Sequence, residues 1–155
     1  MTANDHHGLN AQDNVRLITV ADPAEAARRY ERELKSFYGA DELDSARPLF
    51  DFVLLGVGPD GHTASLFAGY PAVEETRRWV IEVPKAHMEP FVPRVTLTLP
   101  ALASCREMLF ELAGAEKRAI LAQLSKDQTL PANRARSIGE TVLLVDQAAA
   151  SGEFS

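Results

Sequence analysis

The sequence predicts an open α/β fold, in which helices flank a mainly parallel, Rossmann-like sheet. Residues 51–57 form an apolar run without alternation, typical of a strand buried on both faces. Strand-like and helix-like segments also alternate along the chain. With 46% hydrophobic residues among 155, one domain can bury a continuous core. We predict a flexible arm over residues 1–14, a single α/β domain over residues 15–150 and a tail over residues 151–155.

The elements of this domain are predicted in order from local patterns. Val15–Val20 is the first strand, and Asp22, Pro23 and Glu25 then supply an N-cap, a first-turn proline and a capping glutamate. A helix should therefore begin at Pro23 and end at Gly39. Its apolar stripe consists of Ala26, Ala27, Tyr30, Leu34 and Phe37. The later predicted strands are Asp51–Val57, Trp79–Val83, Val95–Leu99, Glu107–Leu112 and Thr141–Val145, and the later helices are Ala115–Leu124 and Gln147–Ala150.

Charge and composition exclude several classes of function. The net charge of −6 leaves no broad cationic surface to neutralise nucleic acid, so we expect no nucleic-acid partner. The single cysteine and an amino terminus without basic and apolar stretches favour the reducing cytoplasm. Apolar runs are far shorter than the roughly 20 residues of a membrane span. No His or Cys pair has metal-ligand spacing, so we expect no metal site.

A glycine-rich loop, Gly56-Val57-Gly58-Pro59-Asp60-Gly61, follows the predicted strand at residues 51–57. It matches the G-x-G-x-x-G pattern of dinucleotide-binding folds. A dinucleotide site needs a full helix directly after the third glycine, whereas Gly69 and Pro71 allow only about two turns here. The pattern alone therefore does not establish a nucleotide site.

His62, predicted at the start of that short helix, is the best candidate for catalysis. Its imidazole can take a proton from water and return it to a leaving oxygen. Amides of the glycine loop can face an oxyanion, and Asp60 can orient the ring. Two plainer interpretations stay open, in which His62 only caps its helix and Asp60 is only a turn residue.

Two cations are candidate phosphate ligands. Arg94 begins an alternating segment, so Arg94, Thr96 and Thr98 are predicted to share a polar strand face. Lys117 lies in the first turn of a predicted helix, where a cation opposes the helix dipole and suggests a nearby anion. Solvated surface side chains are the alternative for both residues.

Residues 56–67, Gly-Val-Gly-Pro-Asp-Gly-His-Thr-Ala-Ser-Leu-Phe, resemble the signature of the 6-phosphogluconolactonase family. Similar matches occur at residues 93–102, 114–117, 130–132 and 145–149. The resemblance implies hydrolysis of 6-phospho-D-glucono-1,5-lactone in the oxidative pentose phosphate pathway, without a metal or organic cofactor. By position it implies that His62 is the general acid/base, that Asp60 and the loop glycines Gly58 and Gly61 shape the pocket, and that Arg94 and Lys117 hold the phosphate of the sugar lactone.

The same resemblance shows a departure, because the family's amino-terminal part with its Gly-Gly-Ser-Thr phosphate loop has no counterpart here. A sheet truncated at this side should expose an edge and an apolar face. An inactive remnant, or a half-protein that binds sugar phosphate or a partner, is therefore the second hypothesis. Three outcomes are open for this face: a partner covers it, as a homo-oligomer or a complementing chain; the sheet rearranges; or the face stays uncovered. Glucosamine-6-phosphate deaminase is a weaker match, because Leu66 and Phe67 replace its Asn-Glu segment.

Overall fold

The structure is a computed structural model that describes residues 22–150. The predicted arm, the predicted strand Val15–Val20 and the predicted tail lie outside the described residues. The helices are α1 (Pro23–Tyr38), α2 (Leu99–Ala103), α3 (Arg118–Leu124), α4 (Pro131–Arg134) and α5 (Gln147–Ala150). The strands are β1 (Phe50–Gly56), β2 (Val80–Val83), β3 (Arg94–Leu97), β4 (Cys105–Leu112) and β5 (Glu140–Val145). Short 3₁₀ turns span Pro71–Glu74 and Ala115–Lys117.

Helix α1 begins and ends where the capping pattern predicts. The Asp22 side chain accepts hydrogen bonds from two first-turn amides, and Gly39 ends the helix with a φ of 75°. The predicted apolar stripe is wrong at Phe37, whose surface is 82% exposed. Tyr38 is buried instead, because its hydroxyl bonds to the loop backbone at Asp44 and Arg47. This loop packs against the last turn of α1 on the Tyr38 side.

Three strands form the predicted parallel sheet, in the order β1-β4-β5. One of its faces is covered by helices and contains most of the core. Met108 and Phe110 of β4 are buried there against residues of the following helical segments. The carboxyl ends of β1 and β4 consequently lie side by side, which is where ligands bind in open α/β sheets.

The opposite face of this sheet is uncovered among the described residues. Phe52 is 51% exposed and Leu54 is 57% exposed, although the apolar run predicts burial on both faces. The strand has the composition of a fully buried one, but no element of residues 22–150 packs over these two side chains. That part of the prediction is therefore wrong for the described part of the chain.

Strands β2 and β3 form a separate antiparallel pair that packs under α1. Strand β3 ends at Leu97, and Leu99 begins α2 rather than continuing the strand as predicted. The predicted polar face of Arg94, Thr96 and Thr98 is also not an exposed face, because Thr96 and Thr98 are buried. Their hydroxyls are satisfied by backbone groups, and Thr98 donates to the carbonyls of Arg78 and Trp79.

Candidate active site

The loop after β1 leads into a tight turn and not into the predicted helix. Among residues 57–70 the structure contains no α-helix, and Thr63 and Leu66 pair across a turn in which Ala64 has a φ of 50°. The Thr63 hydroxyl donates to the Gly56 carbonyl, and the Ser65 amide donates to the Thr96 hydroxyl. These side chains replace the backbone bonds of a helix, so His62 neither begins nor caps one.

The glycine loop closes on itself through its own amides. The Gly58 amide donates to the His62 carbonyl at 2.8 Å, and the Gly61 amide donates to the Gly58 carbonyl at 3.0 Å. The His62 amide donates to the Asp60 carboxylate. All three amides therefore already have acceptors. These three amides are therefore engaged within the loop and are not free to meet an oxyanion. An oxyanion role for the other amides of the loop stays a prediction.

Gly58 allows the imidazole of His62 to lie against the loop backbone. A Cβ atom at this position would be 2.0 Å from Cε1 of His62, far inside contact distance. Gly61 has a φ of 79°, and a Cβ atom there would be 2.8 Å from Cδ2 of Leu130. A side chain is thus excluded at each glycine for a different reason. The histidine ring excludes it at Gly58, and packing against the segment before α4 excludes it at Gly61.

His62 and Asp60 form the closest polar pair of the loop, with 2.5 Å between Nδ1 and Oδ1. Partial burial tends to raise the pKa of Asp60, but hydrogen bonds from the His62 side chain and backbone outweigh it and leave that pKa lowered. When the ring is neutral and Nδ1 donates its proton to an ionised Asp60, Nε2 is the nitrogen that can accept a proton. The pair is therefore arranged for proton transfer at Nε2.

A buried aromatic ring, Phe67, supports the histidine from behind. The ring centroids of Phe67 and His62 are 4.7 Å apart, and Phe67 is 1% exposed. Tyr70 and the exposed His87 also contact Phe67. Sequence analysis assigned no role to Phe67, because a phenylalanine five residues after the histidine is indistinguishable from an ordinary core residue.

Lys117 reaches the glycine loop from 60 residues along the chain. Its Nζ donates to the Val57 carbonyl at 2.8 Å, and the side chain is only partly exposed. The residue stands in the 3₁₀ turn directly before α3. An ammonium group has three N–H donors, so two remain for a ligand.

These residues surround an open cleft of about 460 Å³ at the carboxyl end of β1. The cleft is lined by Leu54, Leu55, Gly56, Val57, Gly58, His62, Ala64, Glu111 and Lys117. The structure therefore brings together three of the predicted site residues, Gly58, His62 and Lys117, with Asp60 behind the histidine. Glu111 was missed by sequence analysis, because an exposed glutamate at the end of a strand carries no distinctive pattern.

Arg94 is not among the residues that line this cleft. It begins β3, and its Nη2 donates to the Pro90 carbonyl at 3.2 Å. Sequence reasoning predicted a polar strand face that presents Arg94 to a ligand, but the other members of that face are buried. A phosphate-binding role for Arg94 thus stays a prediction that this geometry does not support.

Neither metal clusters nor membrane helices occur in the part of the chain that the structure describes. Within residues 22–150, no three His, Cys, Asp or Glu side chains come together in a group that could hold a metal ion. No helix there has both the length and the hydropathy of a membrane span.

The chain matches a known protein family. The profile of the family described as glucosamine-6-phosphate isomerases/6-phosphogluconolactonase matches residues 2–144. The 6-phosphogluconolactonase of Streptomyces coelicolor is 43% identical over 136 residues, which cover 84% of this chain and 51% of that protein. The 6-phosphogluconolactonase of Rattus norvegicus is 37% identical over 140 residues, 86% of this chain and 52% of that protein.

Solved structures show the same relationship. A 6-phosphogluconolactonase from Thermotoga maritima has a TM-score of 0.64 at 37% identity and aligns with 78% of this chain and 50% of its own. The enzyme from Trypanosoma brucei has a TM-score of 0.70 at 32% identity, over 87% of this chain and 55% of its own. The chain spans about half the length of the relatives that it matches.

Proposed function

We propose, from the premise that the chain belongs to the glucosamine-6-phosphate isomerase/6-phosphogluconolactonase family, that its cleft serves the hydrolysis of 6-phospho-D-glucono-1,5-lactone. The product is 6-phospho-D-gluconate, within the oxidative pentose phosphate pathway. The observation that carries the proposal is the Asp60–His62 pair, held by an internally hydrogen-bonded glycine loop at the carboxyl end of a parallel strand. Similarity to 6-phosphogluconolactonases over most of the chain supports it.

His62 acts in this proposal as general base and then as general acid. Its Nε2 takes a proton from water while the water oxygen bonds to the lactone carbonyl carbon. The tetrahedral intermediate then breaks its bond to the ring oxygen, which takes the proton back from the imidazolium. Water and lactone thus become a carboxylic acid and a hydroxyl group, and the acid ionises to solvent at neutral pH.

Asp60 and Lys117 assist this step in different ways. Asp60 holds the imidazole of His62 in one tautomer. It also stabilises the imidazolium that forms when Nε2 takes the proton. Lys117 offers two donors to an anion, either the sugar phosphate or the developing oxyanion. The loop amides of Gly58 and Gly61 are already bonded, so Lys117 is the better oxyanion ligand of the described cleft. Arg94 is also a proposed phosphate ligand. Its guanidinium must first give up its hydrogen bond to the Pro90 carbonyl.

We further propose that the chain acts in the cytoplasm and on a small-molecule phosphosugar lactone. The single cysteine, Cys105, is a buried free thiol, which suits a reducing compartment. A half-protein without its own activity is the second candidate. It is favoured by one specific observation, the uncovered face of the sheet at Phe52 and Leu54.

The test compares hydrolysis of freshly generated lactone by the purified chain with the spontaneous rate. His62→Gln should lower the chemical rate by about 10² or more, because the general base is lost while the ring pocket keeps a similar volume. Asp41→Asn is the control, since Asp41 is exposed and lies outside the cleft. Normal hydrolysis by the His62 variant would remove His62 from the mechanism. No acceleration by a folded wild-type chain would favour the half-protein.

A further inference from the structure

We infer that the start of α4 positions His62, because Leu130 and Ala132 hold the peptide group between Gly61 and His62 and thereby set where the imidazole points. Residues 130–132, Leu-Pro-Ala, are one of the segments that resemble the family. The inference about position does not depend on the activity of the chain. Its consequence for the rate of lactone hydrolysis rests on the proposed function.

The peptide group between Gly61 and His62 is hydrogen-bonded on both sides. Its carbonyl oxygen, on Gly61, accepts from the Ala132 amide at 3.0 Å. Its N–H, on His62, donates to Oδ1 of Asp60 at 3.2 Å, and the same Oδ1 lies 2.5 Å from Nδ1 of the ring. A rotation of this peptide group would break the bonds to Ala132 and Asp60. It would also change φ of His62 and so the direction of its side chain.

This peptide group needs an external contact because it follows a glycine. Gly61 has a φ of 79°, and the absence of a Cβ leaves the peptide groups on either side of a glycine easy to rotate. The bond from the Gly58 amide to the His62 carbonyl comes from within the loop. The bond from Ala132 comes from a different element. It is therefore the contact that fixes this peptide group relative to the rest of the domain.

The sequence of α4 explains why the Ala132 amide is available. Leu130 is the N-cap of the helix, and Pro131 occupies its first position. Proline has no N–H and favours the start of a helix, and the first amides of a helix have no acceptor within it. The first N–H of α4 is therefore that of Ala132, and it bonds to the Gly61 carbonyl instead.

The Leu130 side chain acts on the same glycine. Leu130 is 8% exposed and belongs to the core between the sheet and its helices. A Cβ atom on Gly61 would be 2.8 Å from Cδ2 of Leu130, so the side chain lies directly against the glycine. A steric contact and a hydrogen bond, from two residues of one turn, thus both restrain Gly61.

Helix α4 is itself bonded to the segment that contains Lys117. Nδ2 of Asn133 donates to the carbonyls of Leu124 and Asp127 at 2.6 and 2.7 Å. Leu124 is the last residue of α3, which begins directly after Lys117. The helix therefore contacts both the loop of His62 and the segment of the lysine that lines the cleft.

Arg134, at the other end of α4, provides an internal comparison. Its guanidinium forms an ion pair with Glu74, in which both carboxylate oxygens accept. The two side chains are 35% and 70% exposed. Exposed ion pairs contribute little to stability. We therefore do not expect Arg134 to position His62.

The test records the ring nitrogens of His62 in the whole 155-residue chain by long-range ¹H–¹⁵N NMR, at a pH where the ring is neutral. The spectrum of His62→Gln assigns the signals. Wild type should show one tautomer, with the proton on Nδ1. Leu130→Ala should move both nitrogen shifts towards the average of two exchanging tautomers. It should also lower kcat at least about 10-fold and change KM less than about 3-fold.

Leu34→Ala is the matched control, because Leu34 is 9% exposed and belongs to a different core cluster under α1. Neither this variant nor Arg134→Gln should move the ring shifts. A further variant replaces Ala132 by lactic acid, which exchanges the N–H for an ester oxygen and keeps the methyl group. It should average the tautomers as Leu130→Ala does, and it decides the question if Leu130→Ala does not fold.

Three outcomes would overturn the inference: a wild-type ring that already exchanges tautomers, ring shifts unchanged by the ester and by a folded Leu130→Ala, or equal changes in Leu34→Ala. Lactone hydrolysis is measured separately on the same samples. A wild-type chain without activity removes the proposed function, and the ring shifts still decide the role of α4. An active chain whose ring shifts stay unchanged in both variants keeps the proposed function and removes the role of α4.

Discussion

Nδ1 of His62 lies 2.5 Å from Oδ1 of Asp60, two residues earlier on the same loop. Two hydrogen bonds within the loop produce this proximity. The Gly58 amide donates to the His62 carbonyl, and the His62 amide donates to the Asp60 carboxylate. A carboxylate at this place holds one tautomer of the imidazole and leaves Nε2 free to accept a proton.

Asp60→Asn should lower the rate of lactone hydrolysis by about 10-fold to 10², because the amide cannot stabilise the imidazolium as a carboxylate does. The loss should appear in kcat with little change in KM. Asp41→Asn, at an exposed position outside the cleft, is the control. Equal kcat values for the two variants would show that the carboxylate has no part in the proton transfer.

The lowered pKa of Asp60 predicts how stability depends on pH. A carboxyl whose pKa is lower in the folded state stabilises that state above its ordinary pKa of 3.8. This contribution is lost as the pH falls through the lower folded value. The difference in free energy of unfolding between wild type and Asp60→Asn should shrink as the pH falls below the ordinary pKa of 3.8 and through the lower folded value. Urea unfolding at several pH values below about 5 measures this difference, and a difference that does not shrink over that range would contradict the lowered pKa.

Gly58→Ala should displace the imidazole, since the added Cβ would lie 2.0 Å from the present position of Cε1. We expect the rate to fall at least about 10-fold, because a general base must stay within hydrogen-bond reach of the attacking water. Gly56→Ala provides the comparison, as its Cβ meets no atom within 4 Å. A smaller loss of rate in the Gly58 variant than in the Gly56 variant would mean that the position of the His62 ring does not depend on the absence of a side chain at residue 58.

Lys117→Met should weaken binding of 6-phosphogluconate by about 10-fold or more, equivalent to about 1.4 kcal/mol. The methionine keeps an apolar stem but removes the charge and the donor to the Val57 carbonyl. Calorimetric titration measures the affinity, with Lys126→Met at an exposed position as control. Unchanged affinity would place the anion elsewhere.

Arg94→Ala should weaken the same binding less than Lys117→Met does. Arg94 donates to the Pro90 carbonyl and does not line the cleft, so it contributes only after that bond is exchanged. A larger loss of affinity in the Arg94 variant would reverse the order and identify the start of β3 as the phosphate site.

Local patterns predicted the elements well where the cause is local. Helix α1 begins at the Asp22 cap and ends at Gly39, as expected, and the parallel sheet follows from apolar runs separated by helical segments. The prediction failed at residues 62–70, where a helix was expected. There the Thr63 hydroxyl and the buried Thr96 hydroxyl supply bonds that stabilise a turn, and the second of these comes from 31 residues away.

What the sequence by itself determined is the fold class, the glycine loop and the Asp60–His62 pair, because each depends on residues within a few positions of one another. Tertiary structure decided which cations reach the cleft: Lys117 bonds to a loop 60 residues away, whereas Arg94 does not line it. It also decided that the apolar strand β1 has one open face. Composition records that a side chain is apolar, but only the packing of distant elements determines whether anything covers it.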